Sequence, residues 1–295
     1  MVFRKMIRML AGVVFSAAPL AAQDGGGGRE SPLQSSIFLA PDRFGVEPGG
    51  ELGVGLVQGS FDEAGEEIEW AETSWLFVRG GGRQWNVSAT PRGQDTDGLE
   101  SIVLPTPENG AAMIGVDFDP AVEMWNGEEL RAFFAARGGA SFDPSTFQGR
   151  EDVSVSRRRS AVAVVRAQDA AMQGMPSPAA MTKAGLVSEI RLDHDPTVLG
   201  IGDSLRVRLY AGHRSRTGVA VLARGGAGAV HVVPVDGFGR CDIPIDAAGV
   251  WRLEFHYAGL ATAAGDARSP RAGEGTDTEI TLYTATTTFE IGDES

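Results

Sequence analysis

Residues 235–256 read VDGFGRCDIPIDAAGVWRLEFH. Asp236-Gly237 and Gly239-Arg240 mark a turn, a short strand follows, and Gly249 separates it from a second strand. In that second strand Trp251, Leu253, Phe255 and Tyr257 fall on one face, and Arg252, Glu254 and His256 on the other. Strict period-two alternation of this kind belongs to a β-hairpin on a half-buried sheet. It places a carboxylate and an imidazole two residues apart on the solvent side.

The flanking sequence repeats the pattern. Val187–Leu192, Asp203–Tyr210, Val219–Ala223, Val230–Val233, Cys241–Ile245 and Glu279–Ile291 all read as strands. Upstream, Ser36–Leu39, Glu51–Val57, Ser74–Val78, Gln84–Ser88, Ser101–Leu104 and Ala111–Phe118 are short apolar runs bounded by Gly, Pro, Asp or Asn. One helix interrupts them: Asn126 to Glu129 can cap it, and Leu130, Phe133 and Phe134 give its apolar spacing up to Gly138-Gly139. Arg157–Gln168 begins with three arginines, expected at a solvated strand end, and continues as an apolar strand. Many short strands with frequent turns predict an all-β chain of two tandem immunoglobulin-like or transthyretin-like β-sandwich domains, with one short helix in the first. The expected division is a signal peptide over residues 1–22, a Gly-rich tether over 23–33, an N-terminal sandwich over 34–169, a linker over 170–185, and a C-terminal sandwich over 186–292. Ala261–Thr278 has no apolar period and reads as a loop.

The signal peptide rests on Arg4, Lys5 and Arg8 ahead of the apolar run Met9–Leu20 and the small residues Ala21-Ala22. It predicts a periplasmic or secreted protein with no transmembrane segment after cleavage. The net formal charge is −13, which disfavours nucleic acid and anionic lipid as partners. Cys241 is the only cysteine, so no intrachain disulfide can form, and its place beside Ile243 and Ile245 marks it as a small buried hydrophobe.

Several stretches occur in a familiar order: Ser36–Pro41 (SIFLAP), Glu66–Trp70 with Trp75, the Leu130–Gly138 helix followed by Arg157–Val165, Val187–Gly212, and Val235–His256. In this order the chain resembles the bacterial domain-of-unknown-function 4198 family of exported proteins, some of which are labelled nickel-uptake periplasmic components. The resemblance implies a binding or accessory role rather than an enzyme, with a metal transporter or envelope protein as partner. Relatives often open the mature domain with Ala-His; here Gln34-Ser35-Ser36-Ile37-Phe38 stands in that place, without the histidine.

The residues themselves allow a mixed His/carboxylate site for a divalent transition metal such as Ni, Co, Cu or Zn, if the Asp193-His194-Asp195 loop folds onto the Glu254/His256 face. The candidate ligands are His256, Glu254 and His194. His213 and His231 read as turn and strand fillers. No P-loop, G-x-S-x-G elbow or dinucleotide Gly motif is present. The acidic residues Asp62 to Glu69 and Asp117, Asp119 and Glu123 are too common here to single out a catalytic pair. Two functions follow as expectations: an exported accessory protein in periplasmic nickel or cobalt handling, or a structural or adhesive surface module that binds a protein or polysaccharide.

Overall fold

A computed structural model describes residues 36–59, 66–68, 70, 73–87, 92–94, 100–167, 174–226, 228–261 and 278–292. The expected signal peptide, the tether and most of the 261–278 loop lie outside these residues, as do Asp62 and Glu63. All of the described residues belong to one compact unit, Ser31–Ser295.

In chain order the strands are β1 (Ser36–Pro41), β2 (Gly45–Val46), β3 (Glu51–Gly59), β4 (Glu66–Ile68), β5 (Thr73–Gly80), β6 (Arg83–Asn86), β7 (Arg92–Gln94), β8 (Glu100–Pro105), β9 (Ala111–Phe118) and β10 (Ala121–Trp125). Helix α1 (Gly127–Arg137) follows, then β11 (Val153–Ala167) and the one-turn helix α2 (Pro178–Met181). The remaining strands are β12 (Ser188–Leu192), β13 (Ser204–Ala211), β14 (Arg214–Ser215), β15 (Ala220–Gly225), β16 (His231–Pro234), β17 (Arg240–Pro244), β18 (Gly249–Leu260) and β19 (Ile280–Ile291). The all-β expectation holds.

These strands form three sheets. A five-stranded sheet runs β1-β3-β8-β7 with β4 beside β3. A four-stranded sheet runs β12-β13-β14 with β17 beside β13. Between them lies a ten-stranded sheet, β16-β15-β18-β19-β11-β9-β5-β6, with β2 and β10 alongside β11. Both halves of the sequence meet in this central sheet, because β11 and β19 pair in parallel from Val155↔Ile280 to Ala163↔Thr288. The expected linker leads from β11 of the central sheet to β12 of the four-stranded sheet, and the central sheet runs through both halves of the sequence without a break.

Alternation builds two cores from the same strands. On one face of the central sheet, Leu76, Val78, Ile114, Val116, Ala161 and Ala163 pack against Leu39, Val54, Leu56 and Leu104 of the five-stranded sheet. Their odd-even neighbours Phe77, Met113, Val162 and Val164 point the other way. There they join Trp251, Leu253 and Phe255 against Leu205, Val207, Leu209 and Ile243 of the four-stranded sheet. A third cluster sits under α1, where Leu130, Phe133, Phe134 and Phe147 cover Val155, Ala258 and Leu282.

Helix α1 begins at a full capping box. Asn126 Oδ1 accepts from the Glu129 amide, and the Glu129 carboxylate accepts from the Asn126 amide. The helix ends at Gly138, whose amide donates to Phe134 O. Gly139, at φ +86°, lets the chain touch β18: a Cβ there would lie 2.1 Å from His256 O.

Candidate functional site

The face of β18 that carries Arg252, Glu254 and His256 is not the solvent side. Glu254 is 0% exposed and His256 3%. Period two decides which residues share a face, but a helix and a strand cover the face that alternation leaves polar. Helix α1 packs over it and lays Phe133 against the His256 ring at 5.0 Å. Strand β1 closes it from the other end: Thr286 Oγ1 donates to Ile37 O at 2.6 Å, and the Arg252 guanidinium lies over the Phe38 ring at 5.2 Å.

Inside this covered band Glu254 and His256 do meet, as expected from their spacing. Glu254 Oε1 is hydrogen-bonded both to His256 Nε2 and to Arg137 Nη1, the last basic residue of α1. Arg137 Nη1 also lies 3.1 Å from His256 Nε2, and His256 Nδ1 lies 3.1 Å from Thr284 Oγ1. A close contact between a carboxylate oxygen and an imidazole nitrogen requires a proton between them. Nε2 therefore donates to Glu254, and Nδ1 accepts from the Thr284 hydroxyl.

Burial alone would raise the Glu254 pKa, but His256 and Arg137 beside it outweigh that and hold the carboxyl below its usual range. Burial lowers His256, against the attraction of Glu254, and Arg137 and Arg157 add to the lowering. At neutral pH the cluster is an ionised Glu254, a charged Arg137 and a neutral His256. The buried Ser36 hydroxyl of β1 adds a side-chain hydrogen bond to the Glu254 carboxylate and contributes to the lowering of Glu254.

His194 does not join them. It is exposed just beyond the end of β12, with Nδ1 3.3 Å from Ser204 O, on the outer sheet across the apolar core. The three expected ligands therefore do not form one site, and no group of three or more His, Cys, Asp or Glu side chains suited to a metal occurs among the described residues. His231 proves more than a filler: Nε2 pairs with Asp246 Oδ2 at 2.8 Å and its ring stacks on Trp251. His213 takes a turn conformation at φ 61°.

The arginine run is not a solvated strand end. Arg157 is 3% exposed and ion-paired with Glu123, and Arg159 lies over the Phe118 ring at 5.7 Å. Arg157–Arg159 sit in the middle of the central sheet, so alternation sends them into its two covered faces. Cys241 is buried as expected, and burial pushes its thiol up to about 12. Trp70, Trp125 and Trp251 are core residues, whereas Trp85 is 37% exposed on the edge strand β6.

Two buried carboxylates, Asp195 and Glu189, and the half-buried Asp117 fasten the segment that leads from β11 to β12. Asp195 accepts from the Ser177 amide at 2.7 Å, and Glu189 from the Ala184 and Gly185 amides at 2.5 and 3.0 Å. Asp117 accepts from the Val187 amide at 3.1 Å and from Ser160 Oγ at 2.5 Å. Burial raises Asp117 to about 6, against the lowering effect of those two donors.

No family model matches the chain, and no curated protein matches it. Among solved structures it is similar to FdeC, a broadly conserved Escherichia coli adhesin, at 14% identity and a TM-score of 0.20. That similarity covers 76% of this chain and 59% of the adhesin chain.

Proposed function

We propose that the chain is an exported, non-catalytic binding module that offers its sheet faces and edges to a surface partner. The observation that carries this reading is the sealing of the Glu254–His256–Arg137 cluster, the candidate site that the sequence singled out. Glu254 and His256 are inaccessible, and Arg137 already occupies the carboxylate. A general base must reach its substrate proton, and a metal ligand must reach its ion. A cation entering beside Arg137 would meet a fixed positive charge. The cluster therefore serves to fix α1 on the sheet. Exposed groups lie elsewhere, on the edge strands β6 and β16, where Trp85 and Val232 face outward.

The test pairs activity with binding. The full chain is screened against ester, phosphate and glycoside substrates, titrated with Ni²⁺, Co²⁺, Cu²⁺ and Zn²⁺, and assayed for saturable binding to isolated bacterial envelope. Envelope binding without turnover, and unchanged in Glu254→Gln, supports the proposal. Turnover, or saturable metal binding lost in a folded His256→Ala variant, overturns it.

A further inference from the structure

The outer face of the four-stranded sheet carries a row of three arginines in direct register. Arg191 pairs with Arg208 across β12 and β13, and Arg208 pairs with Arg240 across β13 and β17. Like charges placed directly opposite one another destabilise a sheet. The next row is neutralised in the ordinary way: Arg206 pairs with Asp242, its register partner, through bonds of 2.8 and 3.2 Å.

The arginine row is not neutralised in that way. Its end members have acids beside them, Asp193 at 3.6 Å from Arg191 and Asp236 at 3.3 Å from Arg240. The middle member has none. No carboxylate among the described residues pairs with Arg208, and its Nε is buried without a hydrogen-bond partner. A guanidinium presents planar, forked donors that match a carboxylate or sulfate group. Across two strand spacings the row spans about 10 Å. At one end Phe238 is 70% exposed, with the Arg240 guanidinium 4.9 Å from its ring centroid. An open aromatic ring beside a cation offers an apolar platform for a sugar ring and a charge for its acid group.

We infer that this face binds an acidic polysaccharide through carboxylate or sulfate groups seated over Arg208. The inference rests on the reading of the chain as a binding module. The net charge of −13 opposes dense polyanions at long range, which favours a sparsely charged glycan over nucleic acid, with one charge per about 1.7 Å of duplex.

Calorimetry on the full chain with oligogalacturonate, a κ-carrageenan oligosaccharide and a neutral dextran oligomer tests it. The first two separate carboxylate from sulfate as the bound group. The expected result is binding of at least one acidic oligomer and not of dextran. Arg208→Gln should weaken it at least tenfold with the melting temperature unchanged or raised, and Phe238→Ala should weaken it less. Equal binding by Arg208→Gln, equal binding of dextran, or no binding of either acidic oligomer overturns the site. If the site fails but the chain still binds envelope without turnover, the binding-module reading stands. Turnover of any oligomer overturns that reading as well.

Discussion

Replacing Arg137 by Met removes a guanidinium that is bonded to a carboxylate 0% exposed and lies 5.3 Å from the Phe133 ring centroid. Glu254 would then be a buried charge held only by neutral groups, the His256 imidazole and the Ser36 hydroxyl. Breaking one side of a buried ion pair costs about 3–5 kcal/mol, against a total stability of about 5–15 kcal/mol. For a chain of this size that is a fall in Tm of roughly 10 °C. The deficit should shrink in acid. Without its cation the Glu254 carboxyl titrates at higher pH, so the folded variant takes up a proton that relieves the charge, and stability recovers as pH falls. The wild type runs the opposite way. Its Glu254 and His256 are both held below their ordinary values, so their contribution is full above the ordinary histidine range and is lost as pH falls through both groups. Denaturant melts at pH 5 and pH 8 measure both effects. The double variant Arg137→Met/Glu254→Gln should recover more than half of the loss. A single-variant loss under about 1 kcal/mol, or a double variant no better than the single, would refute the charge argument.

Asp117→Asn should gain stability relative to wild type as pH rises from 4 to 7, by up to about 3 kcal/mol. The carboxyl sits at about 6 in the folded chain against an ordinary value of 3.8, so it binds a proton more readily when folded and loses that advantage above 6. Equal pH profiles in urea melts would contradict this. Gly139→Ala should cost about 2–4 kcal/mol, because its Cβ would meet His256 O at 2.1 Å and the backbone is at positive φ. A thermal melt within 2 °C of wild type would show that α1 is not pressed onto β18. Cys241 should ignore a thiol reagent at pH 8 until denaturant unfolds the chain; fast labelling of the native protein would show that β17 opens.

Much of the fold was legible because each strand carries its own alternation. Ala111–Phe118 has the same limits in sequence and structure, and the helix was announced by Asn126, Glu129 and the Leu130/Phe133/Phe134 spacing. Very short strands such as β2 and β14 were not, since two residues carry no period. The pairing of Val155–Ala163 with Ile280–Thr288 was invisible for another reason: nothing in either segment names a partner more than a hundred residues away. That pairing is also why the arginines of β11 are covered. At the candidate site, spacing alone brought Glu254 and His256 together. Burial of that face and the arrival of Arg137 depend on where α1 docks, which no local pattern encodes. The arginine row was hidden in the same way, because Arg191, Arg208 and Arg240 become neighbours only through register.

β19 follows the other described strands in chain order and sits in the interior of its sheet, between β18 and β11. A nascent chain that has made everything up to residue 279 holds two strands with bare edges and a slot between them. The slot stays open while the chain closes a loop from β11 to β19, so this pairing step is slow and sequence-distant. During that wait any extended peptide of suitable width competes for the vacancy, which makes the incomplete molecule a natural client for a holding chaperone. Removing residues 280–291 would accordingly leave two half-sheets with no spine, rather than a shortened protein.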